Sequence, residues 1–174
     1  MATKDEREYS FYPDPSGPTG KKLYAIGCPG CNRIEPQPQA LEVVYNDGLF
    51  SVHQDYEIPL PYFWVIQSAR HFQYFSDIRA RELKSLNLAW RTLERAMRDG
   101  CGIQQITAFQ QNKSSHFHLC LMPELPWMKD DIPGYHQRNI QTTMSWAIDN
   151  LKNPKGIEAV EEATQKMKSF LKTP

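Results

Sequence analysis

The stretch Ser115 to Pro123, SHFHLCLMP, constrains this chain more than any other. Its alternation predicts a β-strand with Phe117, Leu119 and Leu121 on one face and His116, His118 and Cys120 on the other. Such a strand packs one face into a core and presents two imidazoles and a thiol on the opposite side. A single histidine there reads as a hydrogen-bonded residue of a half-buried strand, whereas two in line with a cysteine point to a site. The rest of the chain must therefore supply a sheet for this strand to join.

The flanking pattern supplies one. Leu41–Tyr45 and Leu49–Val52 flank Asn46-Asp47-Gly48, a hairpin signal. Tyr62–Ile66 is apolar enough for a central strand, and Ile103–Gln110 reads as another. Between them, Leu83, Leu86, Trp90, Leu93 and Met97 recur at helical steps, which predicts a helix opened by Ser76 and Asp77 and stopped by Gly100. That stripe is the packing face of an amphipathic helix. After Pro123, Pro126 and Pro133, helices are predicted over Arg138–Leu151 and Ile157–Leu171. The first 22 residues are polar and rich in Pro and Gly, an arm anchored only by Tyr9, Phe11 and Tyr12 that builds no core.

Charge excludes some classes of function. Twenty Lys and Arg balance twenty Asp and Glu, which argues against a nucleic-acid polymer as partner and against a polybasic membrane anchor. The charged stretch Met1–Tyr9 lacks a signal-peptide core and no long apolar run follows, so a cytoplasmic location is expected. Cys28, Cys31, Cys101 and Cys120 are then expected to stay reduced.

Two resources carry chemistry. Cys28-Pro-Gly-Cys31 sits among Gly27, Pro36 and Pro38, a knuckle-like setting that favours half of a zinc site over a redox dithiol. Histidines 53, 71, 116, 118 and 136 are candidates to complete it, and spacing alone does not select among them. The second resource is His118. A neutral imidazole is a good nucleophile toward phosphorus, and Gln110, Gln111, Asn112, Lys113, Ser114 and Ser115 place amides, hydroxyls and a cation just before it.

His116-Phe-His118-Leu-Cys120-Leu-Met-Pro123 resembles the histidine-triad signature. Tyr62 to His71 is similar to the strand end that precedes the long helix of that family, and Cys28-x-x-Cys31 to the knuckle of its zinc-bearing members, including the galactose-1-phosphate uridylyltransferase branch. The resemblance covers residues 23–124. It implies a structural zinc on Cys28, Cys31, His71 and His116. It also implies a nucleotide or dinucleotide substrate attacked at its α-phosphate by His118, and an acidic contact to ribose from Asp55. Substrate contacts are expected from Asn112, Lys113, Ser114, Ser115 and Cys120. The implied fold is α+β, an antiparallel sheet of about five strands crossed by one long helix, with C-terminal helices added. The expected organisation is an arm over 1–22, the domain over 23–124 and a helical extension over 125–174, and the resemblance implies a homodimer.

The sequence departs from the family at Cys120, which stands where the third histidine belongs, and in the short approach to His116. The expected activity is that of a nucleotide phosphoramidase, hydrolase or nucleotidyltransferase. A non-catalytic nucleotide-binding module or a zinc-stabilised scaffold for a protein partner are the rival readings. Trp127, Tyr135 and Trp146 are read as core or interface before specificity pocket.

Overall fold

The structure is a computed structural model that describes residues 9–13, 21–25, 28–32, 43–55, 58–110, 115–136 and 138–172. Its centre is a five-stranded antiparallel sheet of order β3-β4-β5-β7-β6. The strands are β3 (Val43–Asn46), β4 (Phe50–Gln54), β5 (Trp64–Ser68), β6 (Ile106–Phe109) and β7 (His118–Pro123). The expected α+β architecture is present. β5 is buried at every position, as an apolar run in mid-sheet should be.

Asn46-Asp47-Gly48 makes the predicted turn between β3 and β4. Asp47 Oδ1 accepts the backbone N–H groups of Leu49 and Phe50, both at 2.9 Å, and Gly48 takes a φ of +83° that favours glycine. Asp47 Oδ2 accepts a hydrogen bond from Ser85 Oγ of the long helix α2 (Ala80–Arg95), so the hairpin turn is tied to that helix.

α2 lies against β4 and β5. Its Leu86, Ala89 and Leu93 share one core with Phe50, Val52, Trp64, Ile66 and Leu121. Both ends differ from the sequence expectation. Ser76 and Asp77 form a separate 3-10 turn, Phe75–Asp77, and α2 starts at Ala80. There the Glu82 carboxylate accepts the Arg79 N–H at 2.8 Å and satisfies a free end of the helix. Gly100 does not stop the helix, which widens into a π-helical turn, Ala96–Gly100; the left-handed glycine is Gly102, with φ +75°. Gly100 instead admits the Phe170 ring, where a Cβ would overlap it.

Phe170 belongs to α5 (Pro154–Lys172), which packs on that π turn and on β3, while α4 (Ile140–Leu151) contacts α5. A short α3 (Met128–Asp131) precedes them. The Trp127 and Trp146 rings lie 5.7 Å apart and both pack against the core, as does Tyr135. The stretch read as an arm pairs its backbone. β1 (Tyr9–Pro13) and β2 (Lys21–Ala25) form a two-stranded antiparallel sheet that crosses the expected boundary at residue 22. Leu41 of the predicted hairpin lies outside the described residues. Among the described residues no helix is long and apolar enough to cross a membrane.

Candidate metal centre and active site

Chain reversal around β5 builds the metal centre. Just beyond β5, Ser68 N donates to Phe117 O at 3.2 Å and Phe117 N donates to Phe72 O at 2.6 Å, so residues 116–117 lie against 68–72. His71 and His116 are thereby brought edge to face, their ring centroids 5.3 Å apart at 81°. His116 sits in a bend, and β7 begins only at His118. The sequence reading placed His116 within the strand. The bend sets its ring against Gly30 of the knuckle helix α1 (Pro29–Asn32).

Cys28, Cys31, His71 and His116 are all buried, and their ligand atoms lie within 4.8 Å of one another. Cys31 Sγ is 3.4 Å from both His71 Nδ1 and His116 Nδ1, and Cys28 Sγ is 3.7 Å from His116 Nδ1. Zinc bonds of ordinary length at tetrahedral angles set a sulfur-to-nitrogen edge of about 3.5 Å. The cluster therefore fits one zinc ion held by four protein ligands with no corner for water, a structural site.

The tautomer of His116 fits as well. Its Nε2 lies 2.7 Å from the Ser68 carbonyl, which can only accept, so Nε2 carries the proton and Nδ1 offers its lone pair to the metal. The Cys28 thiol is held far below the ordinary thiol range by the hydrogen bond from Cys31, which outweighs burial, with His116 and His71 adding to it. Thiolate is the form that binds metal. None of the four cysteines is in a disulfide.

Gly30 and Gln67 complete this centre, and the sequence reading missed both. A Cβ on Gly30 would stand 2.5 Å from His116 Cγ, so only glycine lets the knuckle close on that ring. Gln67 Nε2 donates to the Gly30 carbonyl at 2.6 Å, and Gln67 is also the cross-strand partner of His118. The signal for Gly30 was its place between two metal-binding cysteines; Gln67 and Ser68 carried none. Arg70 supports the loop bearing His71. Its guanidinium meets both oxygens of Glu82 at 2.7 and 2.8 Å, donates to Asp77 O and lies 4.3 Å over the Phe72 ring.

His118 starts β7 and is half-buried. Its Nδ1 lies 3.1 Å from the His116 carbonyl, so Nδ1 is the donor and the lone pair belongs to Nε2. The register of the sheet places Gln67 and Ser51 in line with His118, and Val65 and His53 in line with Cys120, all on one face. Cys120 is 3% exposed, and burial, helped by the Asp55 charge, pushes its thiol up to about 12.

The other sequence candidates distribute as follows. Ser115 is half-buried in the bend before β7, while Asn112, Lys113 and Ser114 lie outside the described residues. Asp55 follows β4 and lines a cavity of about 310 Å³ with Gln54, Pro59 and the α5 residues Ile157, Val160, Glu161, Thr164 and Gln165. His118 is not part of that lining. His53 and His136 stay out of the metal cluster: His53 Nδ1 lies 3.1 Å from Gln54 O, and exposed His136 accepts the Arg138 N–H.

Scanned as a sequence, the chain matches no protein-family model and no curated protein. Solved structures do match. A Zn-bound histidine triad family protein from Mycobacterium smegmatis superposes with a TM-score of 0.58 at 15% identity, over 84% of this chain and 94% of that one. A hypothetical histidine triad nucleotide-binding protein from Sulfolobus tokodaii gives 0.54 at 14% identity, over 83% and 91%. A HIT family protein from Bacillus anthracis gives 0.54 at 18% identity, over 78% and 97%. This chain has the histidine-triad fold. The covered shares exceed what residues 23–124 provide, so the structural likeness extends beyond the stretch marked by the sequence motifs.

Proposed function

We propose that this protein is a zinc-stabilised nucleotide hydrolase, phosphoramidase or nucleotidyltransferase that works through a nucleotidyl-His118 intermediate. The observation that carries the reading is the hydrogen bond from His118 Nδ1 to the His116 carbonyl, which puts the ring's lone pair on Nε2, the atom that would attack an α-phosphate. Zinc would supply no chemistry on substrate. Held by Cys28, Cys31, His71 and His116, it would fix the bend that aims His118, and Gln67 ties the same knuckle to the strand beside it.

In this reading Ser115, Asn112, Lys113 and Ser114 bind phosphate, Cys120 lies beside the leaving group, and Asp55 contacts the ribose. Residues 23–124 form the nucleotide-handling unit behind an arm over 1–22, and residues 125–174 extend it. The protein is a cytoplasmic homodimer joined through α2 and an edge strand of the sheet. The burial of Cys120 favours one rival, a nucleotide-binding module without turnover.

Intact-protein mass after brief mixing with a nucleoside phosphoramidate, a dinucleoside polyphosphate, a nucleoside diphosphate and a nucleotide sugar decides between them. A nucleotide-sized adduct is expected on the wild type and not on His118→Ala, with zinc and fold kept in the variant. Bound nucleotide without adduct or turnover would leave the binding module.

A further inference from the structure

We propose that the cavity between α5 and the chain just after β4 binds a small amine, an organic ammonium ion carried on an apolar body. The inference stands on the cavity itself and is independent of the His118 chemistry.

The cavity holds about 310 Å³, the lower end of what small-molecule sites enclose. One wall is a single face of α5, on which Ile157, Val160, Glu161 and Thr164 stand at i, i+3, i+4 and i+7. The facing wall comes from Gln54, Asp55 and Pro59.

Gln54 sets the polarity of the site. It is 3% exposed, and its Nε2 donates to the Leu60 carbonyl at 2.8 Å and to the Asp55 and Ile58 carbonyls at 3.4 Å. The amide cannot be turned over without setting its oxygen against those carbonyls. Oε1 is therefore the acceptor, and among the described residues nothing donates to it. A buried acceptor left unmade carries a desolvation penalty that an incoming donor removes. Thr164, also 3% exposed, donates its hydroxyl hydrogen to the Val160 carbonyl at 2.9 Å, which leaves only lone pairs on its oxygen. Exposed Gln165 can serve either role. Glu161 and Asp55 add carboxylates to the lining, so a positively charged donor is favoured over a neutral one and an anion is repelled.

The rest of the lining is apolar. Pro59 and Val160 are buried, whereas Ile157 is left 50% exposed, a side chain that a ligand body would cover. A bare metal ion would cover none of it. Among the described residues the only group of His, Cys, Asp and Glu side chains placed to hold a metal is the zinc centre. Polar head and apolar walls together describe an ammonium group on an alkyl or aryl body.

The test titrates the zinc-loaded wild-type protein by calorimetry with three probes of one shape, phenylpropylamine, phenylpropanol and phenylpropionate. The amine should bind one per chain and about tenfold or more tighter than the alcohol, because hydrogen bonds of a charged group exceed neutral ones by that order, and the carboxylate should bind weakest. Ile157→Trp, which fills the cavity from its exposed side, should weaken the amine at least about tenfold with an unchanged circular dichroism melt. Glu161→Gln should weaken it by roughly two- to fivefold, as an exposed charge does. Binding of the alcohol or the carboxylate as tight as the amine would overturn the proposal. So would an amine that binds folded Ile157→Trp as it binds the wild type, or no binding of the amine at millimolar concentration. The probe series needs no variant, so a misfolded Ile157→Trp would not spare the proposal.

Discussion

Gly30→Ala tests the metal centre most directly, because the perturbation is one methyl group and its neighbour is already fixed. An alanine Cβ would lie 2.5 Å from His116 Cγ, 2.6 Å from Cβ and 2.9 Å from Nδ1. Carbon atoms pack at about 3.5–4.0 Å, so the ring or the knuckle must retreat by at least roughly 1 Å. The ring has little freedom, since Nε2 is held at 2.7 Å by the Ser68 carbonyl and Nδ1 faces Cys28 and Cys31. A 1 Å retreat by either side would break a hydrogen bond or stretch a metal–nitrogen bond beyond its range. Overpacking of this kind costs about 1–3 kcal/mol. At this size each kcal/mol lowers Tm by roughly 2–4 °C. Displacing a ligand should also weaken zinc binding by about 10–100-fold, as loss of a supporting contact does. Circular dichroism melting and chelator competition would measure the two effects. A variant that keeps wild-type zinc affinity and melting temperature would show that α1 does not close on His116 as described.

The remaining predictions concern the supports around that centre. His116→Ala should lose stoichiometric zinc by elemental analysis and melt well below wild type, because structural metal binding is folding free energy; full zinc retention would remove His116 from the ligand set. Glu82→Ala leaves the Arg70 guanidinium, 12% exposed, without its carboxylate and should cost up to about 3 kcal/mol in denaturant unfolding. For the Glu82 carboxyl, burial acts upward, but hydrogen bonds from Arg70 and Arg79 outweigh it and hold the group below its ordinary 4.5. As pH falls below that value the unfolded chain takes up the proton first. The contribution is therefore full above it and lost as pH falls through the folded value. Wild-type stability should thus drop more steeply on the acid side than that of the variant, and parallel acid limbs would refute the assignment. Gly100→Ala should force the Phe170 ring aside and loosen α5, for about 1–3 kcal/mol and faster proteolysis within 154–172; an unchanged melt would mean that the ring moves freely.

Local sequence patterns were enough for the sheet and the long helix, whereas the metal ligands were named only through the family resemblance. Period-2 alternation in β7, the Asn46-Asp47-Gly48 turn and the helical spacing of Leu86, Trp90 and Leu93 are local patterns that hold whatever the chain packs against. Cys28, Cys31, His71 and His116 were selected by motif order, which reflects a shared fold and not a computation of distances. Tertiary structure decided the rest. The bend at His116 is held by hydrogen bonds of Phe117 with Ser68 and Phe72, more than forty residues earlier in the chain. The tautomers of His116 and His118 are set by backbone carbonyls, which carry no sequence signal. Gly100 reads as a helix stop by local propensity, yet its role is to admit Phe170 from a helix that lies far along the chain. Local propensity legislates over a few residues, whereas a missing Cβ or a carbonyl acquires its meaning only from what packs against it.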